Sequence, residues 1–108
     1  LAAKALGDLT RLGADFVAVE KKMATHLFVR HAHRAGQEVY PWTVDDPAWM
    51  FTLMSRGVDG LITNRPDLAR HVIERRARMT EAERVLLTFL IRLGARPEAL
   101  ASEADLRP

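Results

Sequence analysis

The sequence predicts an α/β protein built on short parallel strands, and three observations carry that reading. Apolar runs rich in β-branched and aromatic residues recur at Asp15–Val19, around Val39–Val44 and at Leu61–Thr63, a composition that suits a buried, pleated surface. Each run is followed by a stretch with apolar residues at helical spacing, so successive strands are joined through a helix and lie parallel. Each run is also nearly continuous in apolar character, as expected of strands covered on both faces. Along the chain the order is α-β-α-β-α-β-α, followed by one or two added helices.

The first helix spans Leu1–Leu12, with Leu6, Leu9 and Leu12 on one side and Gly13 as its stop. Asp15–Val19 is the first strand, ending in the polar run Glu20-Lys21-Lys22. A helix from Thr25 to Ala35 carries Leu27, Phe28, Val29 and Ala32, and Gly36 closes it. Gly36–Pro66 then organises the rest. Its strand takes Val39 and Tyr40, then Trp42, Thr43 and Val44; Pro41 between them removes a ladder hydrogen bond and suggests a bulge. Asp46-Pro47 starts a helix, because the carboxylate accepts from orphan amides and proline at the first helical position lacks an N–H that would have gone unpaired. Trp49, Met50, Leu53 and Met54 give that helix a buried face. Gly57 ends it at the position that needs positive φ, and Val58 folds back on the last turn. Leu61-Ile62-Thr63 is the third strand, and Asn64-Arg65-Pro66 opens a helix in the same way as Asp46-Pro47. That helix reaches Arg78, with Leu68, Ala69, Val72 and Ile73 inward and Arg70, Glu74, Arg75 and Arg78 in solvent. Thr80-Glu81-Ala82-Glu83 is a capping box, opening a helix to Leu93 that Gly94 stops. The tail from Arg96 to Pro108 is expected to hold one short helical turn after Pro97 and then fray.

With 108 residues there is chain for one compact domain and no more. Cysteine is absent, which excludes disulfide staples and thiolate metal sites. The net charge is only +2, without a basic tail. No secretory signal is visible, and no purely apolar run, Val85-Leu86-Leu87 included, approaches the length needed to span a bilayer. The chain opens on Leu1 in a helical pattern, and the expectation is a piece of something longer.

WTVDDP, residues 42–47, followed by GVDGLITNRPDLAR, residues 57–70, resembles the closing strands of the glycerophosphodiester phosphodiesterase family, with their W-T-V-N/D strand and G-V-D-G-I-x-T-D/N-x-P turn. LGADFVAV, residues 12–19, and His33-Arg34-Ala35-Gly36 are similar to the family's preceding βα unit. The resemblance covers roughly Gly13 to Arg75, and the combined motifs at that spacing are specific. It implies a partial TIM (β/α)8 barrel: three parallel βα units, the last three strands of the ring, plus C-terminal helices. Residues 1–78 would be the C-terminal part of the barrel and residues 79–108 a helical extension. A whole barrel needs about 250 residues. The family's His-Arg-Gly opening and a Glu-x-Asp pair with a following His do not occur here, and the one Glu-x-Lys, Glu20-Lys21-Lys22, reads as the solvated polar end of the first strand, so the resemblance is taken to place no catalytic residue and no metal ligand in this chain. It does carry over one substrate-binding residue, Trp42. Two departures stand out: Pro41 precedes that tryptophan within the strand, and Asn64 stands where the family often has Asp.

Other residues invite functional readings that simpler chemistry answers. Trp42, toward the carboxyl end of its strand, offers an apolar wall to a glycerol or head group, against the plainer role of a core tryptophan. Glu20 shares that rim but has no second acid at helical spacing, and reads as solvated. Asp45 and Asp46 resemble a carboxylate pair, but Pro47 makes Asp46 a helix cap. Asp59 reads as a turn residue bonding its own backbone. His31 and His33 point to nearly opposite faces, His26 and His33 stand two turns apart, and His33 suits the helix C-terminal dipole better than a metal. Arg65, Arg70, Arg75, Arg76 and Arg78 are interrupted by Asp67 and Glu74 with no interleaved aromatics, so a solvated face is read in place of a nucleic-acid stripe. The apolar arc of the last helix, Val85 to Ile91, is too wide for one contact and requires packing on two sides.

The functional expectation follows from the resemblance. The complete enzyme cleaves glycerophosphodiesters to an alcohol and glycerol 3-phosphate with a divalent cation, Mg2+ or Ca2+, whose ligands are outside this chain; the isolated chain is expected to be inert. The alternative is a non-catalytic module derived from the barrel that self-associates through its strand edges. The expected partners are the substrate in the complete enzyme and the missing barrel half or a second copy, with no nucleic acid. The expected location is cytoplasmic, or membrane-associated through upstream segments.

Overall fold

In the computed structural model residues 15–96 are described. Two strands, β1 (Phe16–Glu20) and β2 (Glu38–Trp42), form a parallel pair in which Phe16 stands opposite Glu38 and Glu20 opposite Trp42. Four α-helices follow the strands in order: α1 (His26–Arg34) between them, then α2 (Pro47–Ser55), α3 (Pro66–Ala77) and α4 (Glu81–Arg92). A single 3-10 turn, Lys21–Met23, links β1 to α1. The helix expected over Leu1–Leu12 and the turn expected after Pro97 lie outside the described residues.

The helix boundaries follow their capping chemistry. Thr25 Oγ1 accepts from the Phe28 amide at 3.1 Å, and Asp46 Oδ2 accepts from the Trp49 amide at 3.2 Å with Pro47 in the first turn. The capping box is complete: Thr80 Oγ1 accepts from Glu83 N at 3.1 Å, and Glu83 Oε1 accepts from Thr80 N at 2.8 Å. At the end of α2, Gly57 has φ 91°. Its amide donates to Met54 O at 3.0 Å and that of Val58 to Leu53 O at 3.4 Å, the paired bonds of a left-handed cap. Gly36 and Gly94 close α1 and α4 the same way. The start of α3 departs from expectation. Arg65 is its N-cap and supplies no side-chain cap bond; the Asn64 side chain is engaged elsewhere, its amide donating to Asp45 at 3.1 Å.

The third expected strand, Leu61–Thr63, is an extended segment and not a regular strand. It runs in the same direction as β2, tied to it by Asp59 N to Val39 O at 3.0 Å, Ile62 N to Pro41 O at 2.9 Å and Val44 N to Ile62 O at 3.0 Å. A regular parallel ladder leaves one residue between such an acceptor and donor; here Trp42 and Thr43 both intervene, joined by a cis peptide. The irregularity that Pro41 suggested therefore sits just after it. Gly60 allows the close approach: a Cβ there would lie 2.7 Å from Tyr40 Cε1.

One face of the sheet holds the core. Val17 and Val39 are buried against Phe28, Val29 and Ala32 of α1, Met50, Phe51 and Leu53 of α2, and Leu68 and Val72 of α3. Burying each such aliphatic or aromatic side chain contributes on the order of 1.5–3 kcal/mol. The alternate residues face the other way: Phe16 is 55% and Trp42 44% exposed, while Phe16 and Tyr40 meet edge to face at 5.9 Å. The expectation of strands covered on both faces is thus corrected among the described residues, because every described helix packs on the same side. Individual inward assignments also shift. Leu27 and Ile73 are exposed, whereas Phe51 is fully buried. In α4 only Leu87 and Ile91 reach the core; Val85, Leu86, Phe89 and Leu93 remain more than half exposed, so the wide apolar arc meets one partner and not two.

Candidate functional site

Parallel pairing in register brings Glu20 and Trp42, the last residues of β1 and β2, side by side. This is the rim from which the chain leaves each strand for the following helix, and Trp42 stands on it with its ring open to solvent. The rim predicted for Trp42 is the one it occupies. Glu20 is half-buried, and its Oε2 accepts from the Lys22 amide, capping the 3-10 turn. The carboxylate read as merely solvated therefore holds the turn between β1 and α1.

The two loops beyond β2 are knitted together by Asp45. Its Oδ1 accepts from the Thr63 hydroxyl at 2.9 Å and from the Asn64 backbone amide at 2.8 Å, and its Oδ2 accepts from the Asn64 side-chain amide at 3.1 Å. These donors hold the Asp45 carboxyl below the usual aspartate range: the Asn64 backbone N–H contributes most, then its side chain, then Thr63, with the Lys21 charge adding a smaller effect. Asp46 turns the other way to cap α2 and stands 3.7 Å from Arg96. Adjacent in sequence, the two carboxylates serve different loops. Asn64 also has a physical reason to differ from the acid common in the family. An aspartate there would face the Asp45 carboxylate, where the amide donates to it.

Asp59 corrects another expectation. It does not bond its own turn; its Oδ2 accepts from the Val39 amide of β2 at 2.7 Å and lies 2.8 Å from His33 Nε2. It therefore pins the Gly57–Gly60 turn to β2 and to the last turn of α1. His26 Nε2 lies 3.2 Å from Arg30. Of the five arginines of the supposed stripe, Arg76 turns inward, with its guanidinium 5.8 Å from the Phe51 ring centre and its Nε bonded to Ser55 Oγ at 3.4 Å. Among the described residues no group of three or more His, Cys, Asp or Glu side chains is arranged to hold a metal ion. No helix of the described residues is long and apolar enough to cross a membrane.

The Asp45–Thr63–Asn64 cluster was missed by sequence reasoning, which looked for the function of the acid pair at Asp46. Its signal was present, however, as an acid three residues past β2 and a Thr-Asn pair at the end of the next extended segment.

Comparison with known proteins gives a consistent answer. The sequence model of the glycerophosphoryl diester phosphodiesterase family matches residues 2–68. A probable glycerophosphodiester phosphodiesterase 2 of Mycobacterium tuberculosis is 53% identical over 45 residues, a stretch covering 42% of this chain and 17% of that protein. The glycerophosphodiester phosphodiesterase GDPD4 of Arabidopsis thaliana is 36% identical over 62 residues, covering 57% of this chain and 19% of the relative. The chain thus spans less than a fifth of the length of these curated relatives in the matched region. No solved structure matches it. With more than half its length matched to one family model, and with the tryptophan-bearing strand and the Gly57–Pro66 turn in that match, the chain belongs to the glycerophosphoryl diester phosphodiesterase family.

Proposed function

We propose that this chain is the C-terminal part of a glycerophosphodiester phosphodiesterase barrel, with β1, β2 and the extended Leu61–Thr63 segment as its last three staves. Residues 1–78 form barrel wall and residues 79–108 a helical extension. The observation that carries the reading is the asymmetry of the sheet: one face is sealed by helices and the other is bare, with Phe16, Trp42 and Ile62 each roughly half exposed. In a closed barrel the inward face is filled by side chains from the other strands, which is what such a bare face requires.

The complete enzyme hydrolyses glycerophosphodiesters to an alcohol and glycerol 3-phosphate. The divalent cation, Mg2+ or Ca2+, supplies Lewis-acid polarisation of the phosphoryl group when bound, and its ligands lie outside this chain. What these residues contribute is position. Trp42 offers an apolar wall to the glycerol or head group, while Asp45, through Thr63 and Asn64, fixes the loops beside it. The isolated chain has no catalytic group and is inert. A hydrolysis assay on glycerophosphocholine with Mg2+ or Ca2+ tests the inertness: the pure 108-residue chain gives no turnover, and turnover above a boiled control overturns that expectation.

The same bare face supports a second reading, a non-catalytic module that covers Phe16 and Trp42 by self-association. A discrete, compact dimer in sedimentation would favour that module. Heterogeneous aggregation would favour the incomplete barrel.

A further inference from the structure

A cleft of about 490 Å3 runs between α2 and the C-terminal part of α4. One helical face of α2 forms a wall, with Trp49, Thr52 and Arg56; Arg92 and Arg96 stand on the other side. None of the bare-face residues of the sheet lines it. Its single lining carboxylate, Asp46, is already committed to the α2 cap and to Arg96, 3.7 Å away. Arg56 and Arg92 have no carboxylate within ion-pair distance among the described residues. Arg56 donates through Nη1 to Ala24 O at 3.0 Å and lies 6.0 Å from the Trp49 ring centre, contacts that fix its position without neutralising it. Its guanidinium is pushed below the usual arginine range, by burial first and by the charge of Arg92 second. Two like charges are thus held near each other in a concave site, an arrangement that an anion relieves.

We propose that this cleft binds the dianion of a phosphate monoester between Arg56 and Arg92. Guanidinium forks match phosphate oxygens in geometry and make charge-assisted bonds to them. The Thr52 hydroxyl adds a donor on the α2 wall, and the Trp49 ring offers an apolar surface to the organic group of the ester. Trp42 does not line the cleft, and the proposal does not rest on the barrel assignment. A phosphate of this kind comes either from a soluble ester or from the head group of an anionic lipid, whose tails would meet the exposed Phe89 and Leu93 of α4.

The test uses the full chain in a Trp42→Phe background, which leaves Trp49 as the one tryptophan, excited at a wavelength that spares Tyr40. It is titrated with inorganic phosphate and, separately, with phosphatidic acid vesicles against phosphatidylcholine vesicles. A saturable change is expected, weakened roughly tenfold or more by Arg92→Gln, as loss of one charge-assisted bond predicts, and largely restored by Arg92→Lys. Arg92 is exposed and its side chain makes no bond among the described residues, so circular dichroism of the variant should be unchanged. A response to phosphate in solution assigns the soluble source; a response only to phosphatidic acid vesicles assigns the lipid head group. The proposal fails if neither ligand gives saturable binding, if Arg92→Gln binds as well as the parent, or if Arg75→Gln on α3, outside the cleft, causes the same loss.

Discussion

The two faces of β1 and β2 are made by alternate residues of the same ten-residue pair, yet they serve opposite purposes. Val17 and Val39 are shut against three helices, while Phe16, Trp42 and their neighbours stand open. The sealed face stabilises the described fold. The open one adds little stability and is the face on which a barrel builds its interior and its rim chemistry. The difference teaches where mutations act: on one face they alter folding, on the other they alter what the chain meets.

The largest effect should come from the sealed side. Phe51→Ala empties a fully buried site and should cost about 3–5 kcal/mol in chemical denaturation. Trp42→Ala on the bare face should cost less than about 1 kcal/mol, while raising KM for the glycerophosphodiester in the complete enzyme. Equal losses at the two sites would erase the contrast. Next comes Gly57, held at φ 91°, where alanine should destabilise by about 1–2 kcal/mol through the left-handed backbone alone. Thr80→Ala breaks the capping box of the weakly docked α4 and should cost about 1 kcal/mol. Hydrogen exchange should then show loss of protection confined to Glu81–Arg92.

The last comparison, the one that isolates the rim, concerns Asp45. Its folded carboxyl titrates below the ordinary aspartate value. Its contribution is therefore fully present above the unfolded value, near pH 4, and is lost as pH falls through the lower folded value. Acid unfolding profiles of the parent and of Asp45→Asn should run together in slope at neutral pH and differ in slope below about pH 4. Identical acid slopes would remove Asp45 from the rim network.

Much of this was legible in the sequence because capping is local. Thr25, Asp46, Thr80, Gly36, Gly57 and Gly94 satisfy backbone groups within a few residues of themselves, so their types announce the helix ends. The parallel pair followed from the helix between the strands. What stayed hidden depends on distant partners. The Leu61–Thr63 segment has strand composition, but whether it becomes a regular strand depends on how β2 continues past Pro41. Asp45 and Asp59 bond to groups eighteen to twenty-six residues away, and nothing in their immediate neighbours chooses those partners. Leu27 and Ile73 carry the right periodicity, yet each lies just off the arc that the neighbouring elements cover.

The central claim is that the bare face of β1 and β2 is the interior of a ring completed by other strands. The chain has no cysteine, so Ala18→Cys places a unique thiol on that face of the isolated protein, and peptide mapping follows the same position in the complete enzyme. The account predicts rapid labelling of the isolated chain and protection in the folded complete enzyme until it is denatured. Equally rapid labelling in both would contradict it.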